Sequence, residues 1–510
     1  MAHGSRGTVI LLVLVAVTAV AMIIPAAVGF TLREHESARA FLYSAALLGS
    51  FTALIYLANK SRKPKDRLIS HPFFVLSAAY VILPLLMAIP LTEAVPGLRF
   101  ADAWFEMLSG FTTTGATVLD GVRDGAVPRS VHLWRGITGW LGGLFVLVYV
   151  IAILAPMNMG GFEVLAVRNE RRMAGPALSK QLMIDYSTGA APDDTLQRLR
   201  LQIGLIAPLY AGFTLLLWVA LSMAGNPPLV ALILAMSALS TSGIVPGAGW
   251  EVAPLTGVTE ALLAVFLLLG LSRTFWLAGA REHGARLNLR QIEIAFAAVL
   301  LVGLCALFVL TYAFHGEGGG VSTFARELWS VVFNGLSFLT TTGFISSGTD
   351  LQDGFFAGPA GIVLLGLALI GGGVATTAGG LKLMRVFALM WQARYELEHL
   401  VHPAGVGGHG AHMRGLRTEG AFSAWLFLLI FILGLGVVMA ALTILGTTME
   451  DALTYAVAAL TTTGPLVHIA GSVSLTWSEL GDAQRAVLGA GMVLGRLEFL
   501  LLLSVLWPRS

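Results

Sequence analysis

The chain has 510 residues, of which 56% are hydrophobic and 12% charged, with a mean hydropathy of +0.81. A soluble globular domain carries roughly 25% charged residues, so that class is excluded. A formal net charge of +2 leaves no footprint for nucleic acid, and the single cysteine, Cys305, sits inside an apolar run and supplies neither a disulfide framework nor a metal site. What remains is a polytopic membrane protein.

A bilayer core of about 30 Å is crossed by about 20 helical residues. The first run of that length, residues 8–29, follows Arg6 but exceeds the 7–15 residues of a signal-peptide core, and is read as a retained span. The second, 40–58, ends at a basic cluster of Lys60, Arg62, Lys63, Lys65 and Arg67. The third, 72–92, leads to a shorter apolar stretch at 102–112, the string GFTTTGATV at 110–118 and a fourth span at 131–155.

That order then returns three times. Spans 200–223 and 256–279 enclose the stretch 228–240 and ALSTSGIVPG at 238–247. Spans 291–314 and 359–390 enclose 324–340 and LSFLTTTGFISSG at 336–348, and spans 420–445 and 484–507 enclose 450–461 and AALTTTGPL at 458–466. The short stretches cannot cross a bilayer and read as re-entrant half-helices. The predicted fold is all-α: two leading helices (1–67), then four units of helix, half-helix, loop and helix (68–170, 171–285, 286–400 and 401–510) around one central pore. The second unit departs most, with TSG in place of TTG.

Asp102, Asn226, Thr323 and Thr448 stand where the half-helices need N-caps. The opposite ends, with their partial negative charge, then face the pore axis and favour a cation. The basic residues Arg168, Arg171, Arg172, Arg281, Arg286, Arg290, Arg394, Arg414 and Arg417 join the first cluster on one side if both termini are cytoplasmic.

An ion entering a membrane pore exchanges water for oxygen ligands, which rings of backbone carbonyls can supply. The candidate ligands are the carbonyls of Thr113, Thr114, Gly115; Thr241, Ser242, Gly243; Thr341, Thr342, Gly343; and Thr462, Thr463, Gly464. Glycine often closes a helix, so one such cluster alone reads as a C-cap. Four, each leading into a full span, read as a ring.

The eighth span holds Gly371, Gly372, Gly373, Val374, Ala375, Thr376, Thr377, Ala378, Gly379 and Gly380, a run that interrupts a helix. Non-helical backbone at membrane depth is tolerated where it is buried in protein or lines a cavity. Lys382 then marks the intracellular mouth, and Arg496 is a charge inside the last span, functional by default; its alternative is an arginine near the interface, paired with Glu498. Asp120, Asp124, Asp350, Asp353, Glu450 and Asp451 are acidic residues of the outer side, several offset by Arg123 and Arg129. His402, His409 and His412 have no metal-site spacing, and no phosphate-binding loop, dinucleotide fingerprint or nucleophile elbow occurs in a fitting context.

The strings FEMLSGFTTTGATV, LWRGITGWLGG, GGGVATTAGGLKLMRV and GRLEFL, with the four loops, are similar to those of the Trk/Ktr/HKT superfamily of potassium transporters. The chain most closely resembles the bacterial TrkH-type membrane subunit, over nearly its whole length. The resemblance implies potassium as the transported ion, no organic cofactor, and the inner membrane as location. It implies a homodimer with one pore per chain and a cytoplasmic ring of nucleotide-binding regulatory subunits. Plant members with serine at the first loop position favour sodium, so Gly115 argues for potassium. The resemblance also makes the 371–380 break a gate beneath the filter, here worded Thr376, Thr377, Ala378, Gly379 rather than Ser-Thr-Gly-Gly, and places a basic residue, Arg496, just below the filter. Coupling to protons or sodium stays open. The competing readings are a sodium-permeable member of the same family, a secondary carrier with a small solute at the broken eighth helix, and a membrane enzyme, for which no acid, base or metal constellation recurs.

Overall fold

The computed structural model describes residues 6–59, 72–119, 127–155, 194–246, 255–272, 276, 292–315, 320–350, 355–357, 361–401, 420–470 and 475–497. The described residues are helices and loops, with no strand among them. The basic residues at 60–67, 168–172, 281–290 and 414–417, the acids Asp120, Asp124 and Asp353, the three histidines and Glu498 lie outside the described residues.

The leading pair is α1 (Arg6–Ala21) with α2 (Ile23–Thr31), and α3 (His35–Asn59). The first span is divided at Met22 because Pro25 lacks the N–H that would bond the carbonyl of Ala21. The pair packs on α4 (Pro72–Ala94) and, through α2, on α6 (Arg129–Tyr149). Between α4 and α6 lies the short helix α5 (Phe100–Phe111).

The pattern recurs with α7 (Asp194–Met223), α8 (Pro228–Ser240) and α9 (Gly257–Leu267). Next come α10 (Ile292–His315), α11 (Val321–Leu339) and the pair α12 (Gly361–Ile370) and α13 (Leu383–Val401). The last unit is α14 (Ala421–Ile444), α15 (Met449–Leu460) and α16 (Asp482–Leu497). Each short helix packs against the long helices of its own unit, and α16 returns to α5, so the four units close on themselves.

Seven described helices are long and apolar enough to cross a membrane. Among the described residues, two of the ten predicted spans are interrupted for physical reasons. In the described part of the sixth, α9 passes into a 3-10 turn, Leu268–Gly270, where the backbone of Gly373 sits against it and donates to the Gly270 carbonyl at 3.0 Å. The eighth is broken between Ile370 and Leu383, as the glycine run requires.

Of the four expected N-caps only Thr448 is one, its Oγ1 accepting from the Asp451 N–H at 3.3 Å. The chain enters α5 at Arg99, α8 at Pro227 and α11 at Gly320. Asp102 sits inside the first turn of α5, where two arginines claim its carboxylate. Asn226 instead donates to Leu221 O and Thr259 Oγ1, at 3.0 and 2.8 Å.

Candidate functional site

All four short helices end in the same way. At the first, the Thr113 N–H reaches Gly110 O at 2.9 Å and the Thr114 N–H reaches Ser109 O at 2.8 Å, the paired closure of a Schellman cap. Thr241 and Ser242, Thr341 and Thr342, and Thr462 and Thr463 repeat both bonds. Such a cap puts one residue in the left-handed region, and glycine normally fills it. Here it is threonine every time, with φ of 54°, 50°, 55° and 54° at Thr113, Thr241, Thr341 and Thr462. A β-branched residue there costs on the order of 1 kcal/mol or more. Four such residues at equivalent points of four buried loops are strain concentrated where the chain converges.

Hydroxyls hold that geometry. Thr112 and Thr114 share a hydrogen bond of 2.8 Å between their side chains, Ser240 and Ser242 one of 2.9 Å, Thr340 and Thr342 one of 3.0 Å, and Thr461 and Thr463 one of 3.1 Å. The first member of each pair also donates to a carbonyl four residues back. Thr112, Ser240, Thr340 and Thr461 are residues the sequence reading passed over. The signal was a third hydroxyl residue ahead of each pair, in TTTG and STSG.

With threonine in the cap, the glycines do something else. A Cβ on Gly115 would lie 1.9 Å from Ser242 O, and one on Gly243 would lie 2.1 Å from Thr342 O. One on Gly343 would meet Pro465 Cδ at 2.9 Å, and one on Gly464 would meet the Ala116 nitrogen at 2.3 Å. Loop one thus presses on loop two, two on three, three on four, and four on one. The absence of four side chains lets the backbones close a ring.

The fourth loop is the odd one. Gly115, Gly243 and Gly343 have φ of 74°, 65° and 83°, so the second loop, for all its serine, follows the first and third. Gly464 instead opens a 3-10 turn, Gly464–His468, with Pro465 next to it. Its N–H donates to Thr114 O at 2.6 Å, and its carbonyl accepts from Trp477 Nε1 at 3.2 Å. The Thr463 carbonyl accepts from the Leu466 N–H at 3.1 Å, so among the described residues three of the twelve expected carbonyls, those of Thr114, Thr463 and Gly464, are taken by donors within the chain. Among the described residues no donor reaches the carbonyls of Gly115, Gly243 or Gly343.

The segment 371–382 is largely buried and meets the ends of the second, third and fourth short helices directly. Thr377 Oγ1 donates to Leu239 O at 3.2 Å, at the end of α8, and the Gly379 N–H donates to Thr341 Oγ1 at 2.6 Å. A Cβ on Gly379 would lie 2.1 Å from Thr461 O. The first loop is reached through Arg496, whose Nε donates to Thr112 O at 2.6 Å, one Nη to Thr377 O at 2.5 Å and the other to Thr113 Oγ1. Gly371, Ala375, Gly380 and Lys382 adopt positive φ, and Thr376 Oγ1 closes a turn on Gly373 O at 2.8 Å. Gly372 and Gly373 pack on the backbone of Gly270 and Leu271. Lys382 folds back, its Nζ donating to Ala378 O, so the ammonium braces the segment and does not stand at an open mouth.

Behind the first loop, Glu106 and Arg135 form a buried ion pair at 2.6 Å, and the other Glu106 oxygen accepts from Val118 N at 3.0 Å and Thr117 Oγ1 at 3.1 Å. Asn334 is the matching residue of the third unit, accepting from Ser346 N at 2.8 Å. Removing one partner of a buried pair strands a charge, at about 3–5 kcal/mol. Arg135→Met is expected to lower the thermal stability of the purified protein by about that amount, followed by tryptophan fluorescence; loss below about 1 kcal/mol would mean the pair is dispensable.

At the far end of α5, Asp102 accepts from Arg99 Nη2 at 2.9 Å and from Arg485 Nη1, while Arg99 also bonds Asp482 at 2.7 Å. Bonds to Asp482 and Asp102 push the Arg99 guanidinium further above its usual range. This clasp joins the first unit to the last helix.

A family model described as TrkH, cation transport protein, matches residues 37–183 and 358–507. The chain belongs to the TrkH family. One curated relative of this TrkH-family chain is the Trk system potassium uptake protein TrkI of Halomonas elongata, 30% identical over 98% of this chain and 95% of that one. Another is the Trk system potassium uptake protein TrkH of Salmonella typhimurium, 26% identical over 96% of this chain and 95% of that one. The crystal structure of the potassium transporter TrkH from Vibrio parahaemolyticus has the same fold, with a TM-score of 0.78 at 24% identity, over 98% of this chain and 97% of that one. Membership in a cation transport family sets the membrane-enzyme alternative aside.

Proposed function

We propose that this protein takes up potassium through the four-loop ring, with residues 371–380 as the gate. The observation that carries the reading is the cyclic contact of Gly115, Gly243, Gly343 and Gly464, each with the next loop: three meet its backbone, and Gly343 meets the Pro465 ring. Strained threonine caps hold the loops before any ion arrives, so reorganisation is not left to the moment of dehydration. The free carbonyls of Gly115, Gly243 and Gly343 then offer oxygen ligands at one level. The relatives named as potassium uptake proteins support potassium as cargo, and glycine in all four loops supports it over sodium.

In this reading the contacts of the gate segment hold it closed. Its contacts to Leu239 and Thr341 are hydrogen bonds worth about 1 kcal/mol each, and the Arg496 bridge to Thr112 and Thr377 adds charge-assisted ones. Opening has to break these together, so the segment works as a two-position element. The protein lies in a bacterial inner membrane with both termini cytoplasmic, so ions meet the ring first from outside. It works as a homodimer with a cytoplasmic nucleotide-binding partner acting on the gate, and the four units divide near residues 68, 171, 286 and 401.

Proteoliposomes holding the purified protein should take up rubidium faster than sodium, and exclude a neutral solute. Sodium uptake equal to rubidium would turn the reading to a sodium-permeable member, and uptake of the neutral solute to a carrier.

A further inference from the structure

One buried side chain bonds the fourth loop where it departs from the others. Trp477 is fully buried, packed between Tyr455 of α15, with ring centroids 5.2 Å apart, and Phe105 of α5, 5.8 Å apart. Its Nε1–H donates to the carbonyl of Gly464 at 3.2 Å. Its own carbonyl accepts from Arg485 Nε at 3.3 Å, and Arg485 Nη2 donates to Ser478 O at 2.6 Å. Arg485 is in turn held by Asp102. The indole is thus fixed in place between the short helices of the first and fourth units, and the oxygen it holds is a ring oxygen.

We infer that Trp477 is a specificity-determining positioning residue: it caps the Gly464 carbonyl and leaves three free carbonyls, not four, at the glycine level of the ring. This rests on the ring being the ion path. A carbonyl that accepts an N–H has given up a lone pair and points toward its donor. Discrimination between potassium and sodium follows the number and strength of the carbonyl dipoles facing the ion. Potassium, the larger ion, gains more from an added oxygen than sodium does, so a ring held at three under-coordinates potassium more.

The test is the rubidium-to-sodium uptake ratio in proteoliposomes, which is independent of how much protein folds. Trp477→Phe keeps the aromatic packing and removes only the donor; the ratio is expected to rise about threefold. Tyr455→Phe is the control, since it removes a different hydrogen bond onto the same segment, from Tyr455 Oη to Thr476 O at 2.7 Å, and leaves Gly464 untouched. Its ratio should not move. A Trp477→Phe ratio that is unchanged or lower, or one that Tyr455→Phe reproduces, overturns the inference. Gly115→Ser, measured alongside, separates the two levels: if it alters the ratio while Trp477→Phe does not, the ring stands and the role of Trp477 falls. If neither alters it, the ring reading fails first.

Discussion

Gly115→Ser is expected to reduce rubidium-over-sodium discrimination in proteoliposomes by about tenfold, equivalent to about 1.4 kcal/mol between the two ions. The added Cβ has nowhere to go. It would lie 1.9 Å from Ser242 O, a backbone atom that cannot rotate aside, and the residue's φ of 74° is itself strained for any side chain. Loop one must back away from loop two, and the carbonyls of both leave their common level. Gly436→Ala is the matched control, because a Cβ there meets nothing within 4 Å; its ratio should equal that of the unaltered protein. Equal ratios for Gly115→Ser and Gly436→Ala would remove the ring from the account of selectivity.

The layout of this fold was legible in the chain because it is written four times. Each unit repeats a span, a stretch too short to span and a hydroxyl-rich turn, and the eighth span announces its break with five glycines in ten residues. The geometry inside the turns was less open. Glycine suggests the left-handed cap position, yet the cap falls two residues earlier, on Thr113 and its three equivalents, since the hydroxyl pair such as Thr112 with Thr114 holds threonine there. The glycine is needed by the neighbouring loop, a contact between residues far apart in the chain, such as Gly115 and Ser242.

The oddity of the fourth loop was visible in Pro465, but the serine in TSG drew attention to the second. A hydroxyl is all that position uses, and serine supplies it. N-caps failed for a similar reason. Thr448 could be read because its partner Asp451 is three residues away. Asp102 could not, because Arg485, which with Arg99 claims its carboxylate, comes from the last helix.

Arg496→Ala is expected to raise rubidium flux per folded molecule by about tenfold in proteoliposomes without any regulatory partner. The guanidinium donates to Thr112 O and Thr377 O, so it ties the first loop to the gate segment, and no other described side chain bonds to both. It also places a positive charge next to the proposed ion path, in surroundings where charges act strongly. Losing the side chain removes both the tie and the repulsion, and an activation barrier lower by about 1.4 kcal/mol gives that factor. Arg496→Lys separates them. An ammonium keeps the charge but lacks the planar fork that reaches two carbonyls at once. If the tie dominates, the lysine variant conducts nearly as fast as the alanine one; if repulsion dominates, it stays as slow as the unaltered protein. Flux per folded molecule that is constant or lower in Arg496→Ala, together with a loss of folded protein, would assign the arginine to the scaffold and leave the gate without its link to the first loop.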